Sequence, residues 1–322
     1  MKNALVLSSG AAWTAYQIGA LEYLTDERDL RFSLCAGTGM GAMNAAFVAC
    51  GEFRVLRERW ESMGWTQLVR PNWSHPWKDA PLVSSPQRRF IERYVSEQKL
   101  QTLGNRLIFS ALELRTGEER LFAYPGDNVP LIDALMGAVA LPGGTPPCKI
   151  DGKCFVEGTF VNTFVLNRVI EHYPADAYYA IANLPAGSDS TSEDRQYRNW
   201  RQVLMRTIQL NLSRDIRREI SDAHQYFRSR KAYVEVVHYI RENANRVAEE
   251  TSRTNTMLEE IEDNLDHSPS EKHGIPEFFP IVSSEGIKTP LWSFRSRWIR
   301  HLREMGYRDA RDALSTPGEG GG

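Results

Sequence analysis

The sequence predicts an α/β fold built on a buried parallel sheet, and two matching stretches carry that expectation. Ala4-Leu5-Val6-Leu7 is a continuous apolar run closed by Ser8, the pattern of a strand covered on both faces. It passes through the small residues Ser9-Gly10-Ala11-Ala12-Trp13 into helical spacing over residues 14–25, with Tyr16, Ile18, Leu21 and Leu24 as the apolar positions. A second apolar run, residues 32–36, passes through Gly37-Thr38-Gly39-Met40-Gly41 into a small-residue helix over residues 42–50. Strand, glycine loop and helix, given twice, open a sheet with helices packed on it.

The second loop has the context of a nucleophile elbow, a turn that holds its middle residue in a strained conformation with the side chain alone above the sheet. A serine belongs at that point. Gly39 stands there, without the atom that would attack. Thr38 is adjacent, but neighbours on an elbow point elsewhere. Ser8 and Ser9 lie near the first loop and have no matched base in the sequence.

The remaining elements follow in order. Gly51 stops the elbow helix and a further helix spans residues 53–63. Residues 65–84, with Trp65, Trp73, Trp77 and three prolines, read as an ordered loop over the sheet edge, either satellite packing or a lid over an apolar pocket. Ser85-Pro86 starts a helix carrying Phe90, Ile91 and Tyr94. Residues 106–113 and 120–124 form a hairpin about Thr116-Gly117-Glu118. A helix over residues 131–141 ends at Pro142-Gly143-Gly144. Asp151-Gly152 turns into a strand, Cys154-Phe155-Val156, that delivers Glu157-Gly158-Thr159, and residues 178–182 form another strand. Glu157 is open to two readings, a reactive carboxylate or an exposed turn residue.

Residues 186–195 are loop-like. Residues 200–227 place Trp200, Leu204, Ile208, Leu212, Ile216, Ile220, Ala223 and Phe227 on one helical stripe. Residues 237–265 alternate threes and fours in a coiled-coil seam. The seam either completes a helical hairpin on the chain's own domain or serves a protein partner or self-association. Residues 267–278 read as a linker, 279–282 as a last strand, 298–305 as a basic amphipathic helix that packs on the domain or rests on lipid headgroups, and 316–322 as a tail. The domain plan is therefore a core over 1–195, a helical hairpin over 196–266, a core-completing segment over 267–315 and the tail.

Bulk properties narrow the function. The 322 residues, 42% hydrophobic, suffice for a substantial core, and a net charge of −2 predicts no generic affinity for nucleic acid. Cys35 and Cys50 sit in apolar segments, Cys148 and Cys154 flank a hairpin that could take a disulfide, and none has zinc-ligand spacing, so no metal or cofactor is expected. The N-terminus lacks a signal-peptide pattern and no run reaches the ~18 apolar residues of a membrane span. The expectation is a soluble, cytoplasmic protein.

Four stretches together resemble the bacterial patatin-like phospholipases. They are residues 5–7 with 15–21, the elbow with Gly41-Ala42-Met43-Asn44-Ala45, Ala138-Val139-Ala140-Leu141-Pro142, and Asp151-Gly152 through Glu157-Gly158 to Val161-Asn162 and Leu166. The resemblance implies a three-layer α/β/α sandwich of the patatin and cytosolic-phospholipase type, here with a long C-terminal helical hairpin. It implies a Ser–Asp dyad and a loop of backbone donors that hydrolyse lipid acyl esters. This chain departs from that pattern at each part. Gly39 holds the nucleophile position and Glu157 the aspartate position. The oxyanion loop is Ser8-Ser9-Gly10-Ala11-Ala12-Trp13-Thr14, with Trp13 at the basic position and Thr14 at the following glycine. A single engineered knockout would explain Gly39 alone, so the joint pattern reads as natural loss. The leading expectation is a lipid- or partner-binding protein without the acyl-hydrolase dyad. The alternatives are a weak or repurposed enzyme with Glu157 as general acid/base, and a structural component working through the 237–265 seam.

Overall fold

A computed structural model describes residues 1–62, 64–74, 80–184, 199–244 and 276–315. The strands are β1 Asn3–Leu7, β2 Leu34–Thr38, β3 Arg70–Pro71, β4 Leu82–Val83, β5 Arg106–Glu113, β6 Glu119–Tyr124, β7 Cys148–Ile150, β8 Lys153–Val156, β9 Ala177–Ala182 and β10 Glu277–Val282. The helices are α1 Ala15–Glu22, α2 Met40–Ala49, α3 Phe53–Glu61, α4 Trp65–Leu68, α5 Ser85–Tyr94, α6 Glu97–Leu103, α7 Leu131–Ala138, α8 Leu166–His172, α9 Trp200–Ala244 and α10 Ser296–Ser315.

The main sheet runs β10-β9-β1-β2-β5-β8-β7, and β6 pairs with β5. The first five strands of that order are parallel; β6 and β8 run antiparallel to β5. Successive side chains of a strand face opposite ways, and β1 shows it: Leu5 and Leu7 join one core cluster, with α1, α2, α3 and α10, whereas Ala4 and Val6 join the other, with α8 and α9. Both faces are therefore covered, which makes the three-layer α/β/α sandwich.

One detail of register decides where the site forms. β2 pairs with β5 only as far as Ser110, and β8 then pairs with Leu112 and Glu113. Leu112 also pairs with β6, so β8 must lie along the edge of β5 that β2 has just left. The residue after β8, Glu157, is thereby delivered over the carboxyl end of β2, where the chain turns at Gly39.

A chain of buried side-chain hydrogen bonds ties α1, α2 and α3 to the loop after β1. Trp60 Nε1 donates to Asn44 Oδ1 (3.0 Å), and Asn44 Nδ2 donates to Gln17 Oε1 (2.9 Å). Gln17 Nε2 donates to the Ser8 carbonyl (2.6 Å) and to Asn183 Oδ1 (2.8 Å), and Asn183 Nδ2 donates to the Ser9 carbonyl (2.8 Å). On the outer side α10 crosses α1 backbone to backbone. A Cβ on Gly19 would overlap the Arg303 carbonyl, and one on Gly306 the Tyr16 carbonyl.

The structure corrects several expectations. The C-terminal helix is not confined to 298–305: it runs Ser296–Ser315 straight through Gly306 and buries Ile299, Leu302 and Met305. Arg303 pairs with Glu22 and with Glu61 (3.0 Å), while Arg300 stays exposed. The last strand begins at Glu277, within the expected linker. Glu97–Leu103 is a helix the sequence reading did not separate, with Ser96 capping the Lys99 N–H. The Cys148–Cys154 disulfide is excluded by register. Cys148 faces Phe155 and Cys154 faces Lys149, so the two thiols lie on opposite faces of the hairpin.

The stripe on α9 is buried at Leu212, Ile216, Ala223 and Phe227, but Trp200 is 69% and Leu204 48% exposed, so the first turns extend past the core. α9 continues without a break to Ala244, which places Val237, Ile240 and Ala244 of the seam on the same helix. The rest of the seam, the 186–195 loop, Trp77 and the 316–322 tail lie outside the described residues. In the 65–84 segment β3 and β4 form a separate two-stranded ribbon, and Trp73 is exposed. Among the described residues no helix is long and apolar enough to cross a membrane.

The α1–α10 crossing yields a test. Gly306→Ala should destabilise the fold by about 3 kcal/mol, because backbone atoms cannot make room as a side-chain end can. Urea unfolding of the variant against the parent measures it, and an unchanged midpoint would contradict the close crossing.

Candidate active site

The elbow forms as its sequence requires. Gly39 caps α2 with φ 56° and ψ −130°, a conformation that strains any residue with a Cβ. Gly37 and Gly41 are needed beside it for close approach: a Cβ on Gly37 would lie 2.5 Å from the Gly41 carbonyl, and one on Gly41 would overlap the Ser8 carbonyl. Thr38 and Met40 flank the turn; Thr38 is fully buried and Met40 is 9% exposed. Neither offers a replacement nucleophile.

Glu157 is not an exposed turn residue. It is more than nine-tenths buried, and its carboxylate lies against the elbow. A Cβ built on Gly39 would overlap Glu157 Oε1 and would stand 2.5 Å from Ser9 Oγ. Ser9 Oγ donates to Glu157 Oε1 (2.6 Å), the Thr159 hydroxyl donates to the same oxygen, and the two hydroxyls are 2.7 Å apart. The expectation that Ser9 has no matched base is therefore corrected. Its partner comes from 148 residues away and arrives through the β8–β5 register. Ser8 faces the other way, donating to Asn183 Oδ1 (3.0 Å).

Burial raises the Glu157 carboxyl above its ordinary value, and the Ser9 and Thr159 hydrogen bonds pull it back only in part. No cation answers its charge at contact distance among the described residues.

The loop after β1 is correspondingly occupied. Gly10 has φ 148° and would overlap Asn183 Nδ2 if it bore a Cβ; Ala11 sits at φ 44°, a position that favours glycine. The backbone N–H groups of Ser9, Ala12 and Trp13 donate to the carbonyls of Thr163, Leu291 and Gly10. Those three are committed inward and do not face an incoming oxyanion. Trp13, at the position expected to be basic, is fully buried and donates its indole N–H to the Thr289 carbonyl (2.9 Å). Thr14 is buried and bonds the Ala11 carbonyl (2.7 Å). The loop is packed into the core at Trp13 and Thr14, while the N–H groups of Gly10 and Ala11 have no acceptor among the described residues.

The structure thus brings Gly39, Glu157 and Ser9 together and sets Trp13 apart in the core. Thr159 belongs to the cluster and was missed by sequence reasoning; its place two residues after the acid, in a short 3-10 turn, was the available signal. Among the described residues no group of His, Cys, Asp or Glu is arranged to hold a metal ion.

Two outcomes follow. Gly39→Ser should lower the melting temperature by several degrees, a loss on the order of 3 kcal/mol, because it combines backbone strain with a collision against a hydrogen-bonded buried carboxylate. An unchanged value in a thermal scan would show the elbow unstrained. The second concerns pH. A carboxyl raised in the folded state contributes stability that is complete below its unfolded value and is lost as pH rises through the folded one. The melting temperature of Glu157→Gln relative to the parent should therefore climb as pH rises above the ordinary carboxylate range. A flat difference would place the charge in a solvated setting.

The family model of the patatin-like phospholipases matches residues 5–170, just over half of the chain. Among solved structures, VipD from Legionella pneumophila is similar at 11% sequence identity and a TM-score of 0.41, the match covering 97% of this chain and 66% of VipD. The chain thus spans just under two thirds of the length of that protein. With the elbow at residues 37–41 and the acid at Glu157 both inside the matched region, the chain belongs to the patatin-like phospholipase family.

Proposed function

We propose that this protein is a patatin-family member without elbow-based acyl hydrolysis, acting instead by binding a lipid acyl group or a protein partner. One observation carries the reading: the space a nucleophile's Cβ would need at position 39 is filled by the Glu157 carboxylate, itself held by Ser9 and Thr159. A hydrolase keeps that space for the attacking side chain. Here the acid has advanced into it, and the loop meant for the oxyanion is packed with Trp13 and Thr14. A cytoplasmic setting goes with this reading and is supported by four free thiols.

The Ser9–Glu157 contact of 2.6 Å favours a second reading, an enzyme whose hydroxyl has moved to the neighbouring loop. In that mechanism Ser9 Oγ attacks the ester carbonyl and passes its proton to Glu157. The acyl–oxygen bond to Ser9 forms as the ester bond breaks, and Glu157 returns the proton to the departing alcohol. Water then releases the acyl group by the reverse transfers. Ser9 is 1% exposed, which weighs against substrate reaching it.

Hydrolysis of short- and long-chain p-nitrophenyl esters separates the two. The expected result is no turnover above buffer by the parent chain and none, or a trace, by a Gly39→Ser, Glu157→Asp double variant. Adding Ser9→Gly to that pair frees the carboxylate for a serine at 39 and gives the best chance of recovered activity. Parent turnover abolished by both Ser9→Ala and Glu157→Gln would overturn the non-catalytic reading and assign the nucleophile to Ser9.

A further inference from the structure

A second concave surface lies on the same carboxyl edge of the sheet as the elbow. Ser8 and Ser9 follow β1 and Gly39 follows β2; two strands over, Leu184 follows β9 and Val282 ends β10. In parallel α/β sheets ligands bind in crevices outside the carboxyl ends of the strands. The groove there, of about 670 Å3, is closed on one side by α9. Its floor is apolar, made by Leu184, Ile220 and Val282, and its wall carries Arg217, His224 and Arg228.

The charge on this wall is one-sided. Among the described residues no acidic side chain lines the groove. Neither Arg217 nor Arg228 has an ion pair among the described residues, whereas Arg57, Arg88, Arg120 and Arg303 all do. Glu219, the acid of α9 closest to this stretch that is buried, faces the other way and accepts the Asn167 N–H of α8 (2.9 Å). His224 rests edge-on against Phe278, 5.1 Å between ring centres, which fixes the imidazole at the groove. Arg217 and Arg228 stand about 16 Å apart along α9, so each guanidinium is a separate anchor at the groove. A guanidinium beside an apolar floor suits a ligand with an anionic head and a hydrocarbon body: the fork binds carboxylate or phosphate oxygens, and the floor covers the first methylenes.

We infer that the groove between α9 and the carboxyl ends of β9 and β10 binds the anionic head of an acyl amphiphile, a fatty carboxylate or an acyl phosphate ester, through Arg217 or Arg228. The inference deepens the lipid-binding reading, on which it rests, by giving the lipid a site away from the filled elbow. Arg217 and Arg228 are exposed, so replacing them leaves the core intact.

Calorimetric titration of the full chain with laurate, with inorganic phosphate and with the uncharged 1-dodecanol, below their aggregation limits, tests it. Laurate should bind, dodecanol should bind more weakly, and the Arg217→Gln, Arg228→Gln double variant should lose at least about tenfold in laurate affinity. Laurate affinity unchanged in the double variant would overturn this site while leaving the lipid-binding reading intact. Phosphate bound as tightly as laurate, and lost in the double variant, would overturn the amphiphile assignment and make the groove a site for free anions. No laurate binding by the parent would overturn the site and remove the support for a lipid ligand together.

Discussion

The geometry around the elbow depends on one buried amide. Gln17, fully buried on α1, accepts from Asn44 on α2 and donates to the Ser8 carbonyl and to Asn183 beyond β9. Three elements and the loop after β1 are held to a common point by a single side chain. A buried amide of this kind is worth little more than its water bonds when satisfied, but stranding one of its partners costs about 1–3 kcal/mol. The network therefore specifies rather than strengthens: any other path for residues 8–14 would leave several buried donors without acceptors. That path is what sets Ser9 Oγ facing Glu157 and what turns Ser8 away from it.

Much of this was legible in the sequence, for reasons that can be stated. The elbow was legible because its pattern is local: strand, glycines and small-residue helix are contiguous, although only Gly37 is required by backbone within a few residues, Gly41 being required by the distant Ser8 carbonyl. Glu157 was legible as a position because the Asp151-Gly152 turn and β8 lead straight to it. Its partner was not. Ser9 meets Glu157 only because β8 takes over the edge of β5 where β2 stops, and no one-dimensional pattern states which strand neighbours which. The same distinction explains Gly306. Glycine near a helix end reads as a stop, but this one is there so that α10 can touch α1 through the Tyr16 carbonyl, and the helix continues past it. The α9 stripe erred in the opposite direction. Its i, i+4 spacing drifts around the helix, so Trp200 and Leu204 leave the buried face that Leu212 and Ile216 occupy.

The two halves of the carboxyl edge differ in how their polar groups are paired. At β1 and β2 the Ser9 and Thr159 hydroxyls share one Glu157 oxygen, and the N–H groups of Ser9, Ala12 and Trp13 point into the fold, while Thr38 Oγ1 has no partner among the described residues. At β9 and β10 the cationic groups of α9 lie at the surface, and among the described residues the groove has no acidic lining. A carboxylate oxygen already held by two hydroxyls has little left to offer a ligand. A groove whose charges are uncompensated gains by taking up an anion.

On the proposed reading, Gly39 and Glu157 form one departure from the Ser–Asp pattern rather than two. Removing the nucleophile's side chain takes away a Cβ and a hydroxyl; lengthening the acid from Asp to Glu adds one methylene on the facing residue. The carboxylate advances by about the distance vacated, since Oε1 stands where a Cβ at 39 would be. Either change alone is costly. Serine at 39 against Glu157 overlaps, and aspartate at 157 against Gly39 leaves a buried gap beside an unsatisfied hydroxyl, in a site where lost contacts are not recovered by relaxation. The pair therefore conserves volume and keeps the Ser9 and Thr159 hydrogen bonds together, and a chain that has made both changes cannot return to the parent chemistry by reversing one. This interlocking is the physical argument, within the proposed reading, for treating Gly39 and Glu157 together rather than Gly39 as an isolated change.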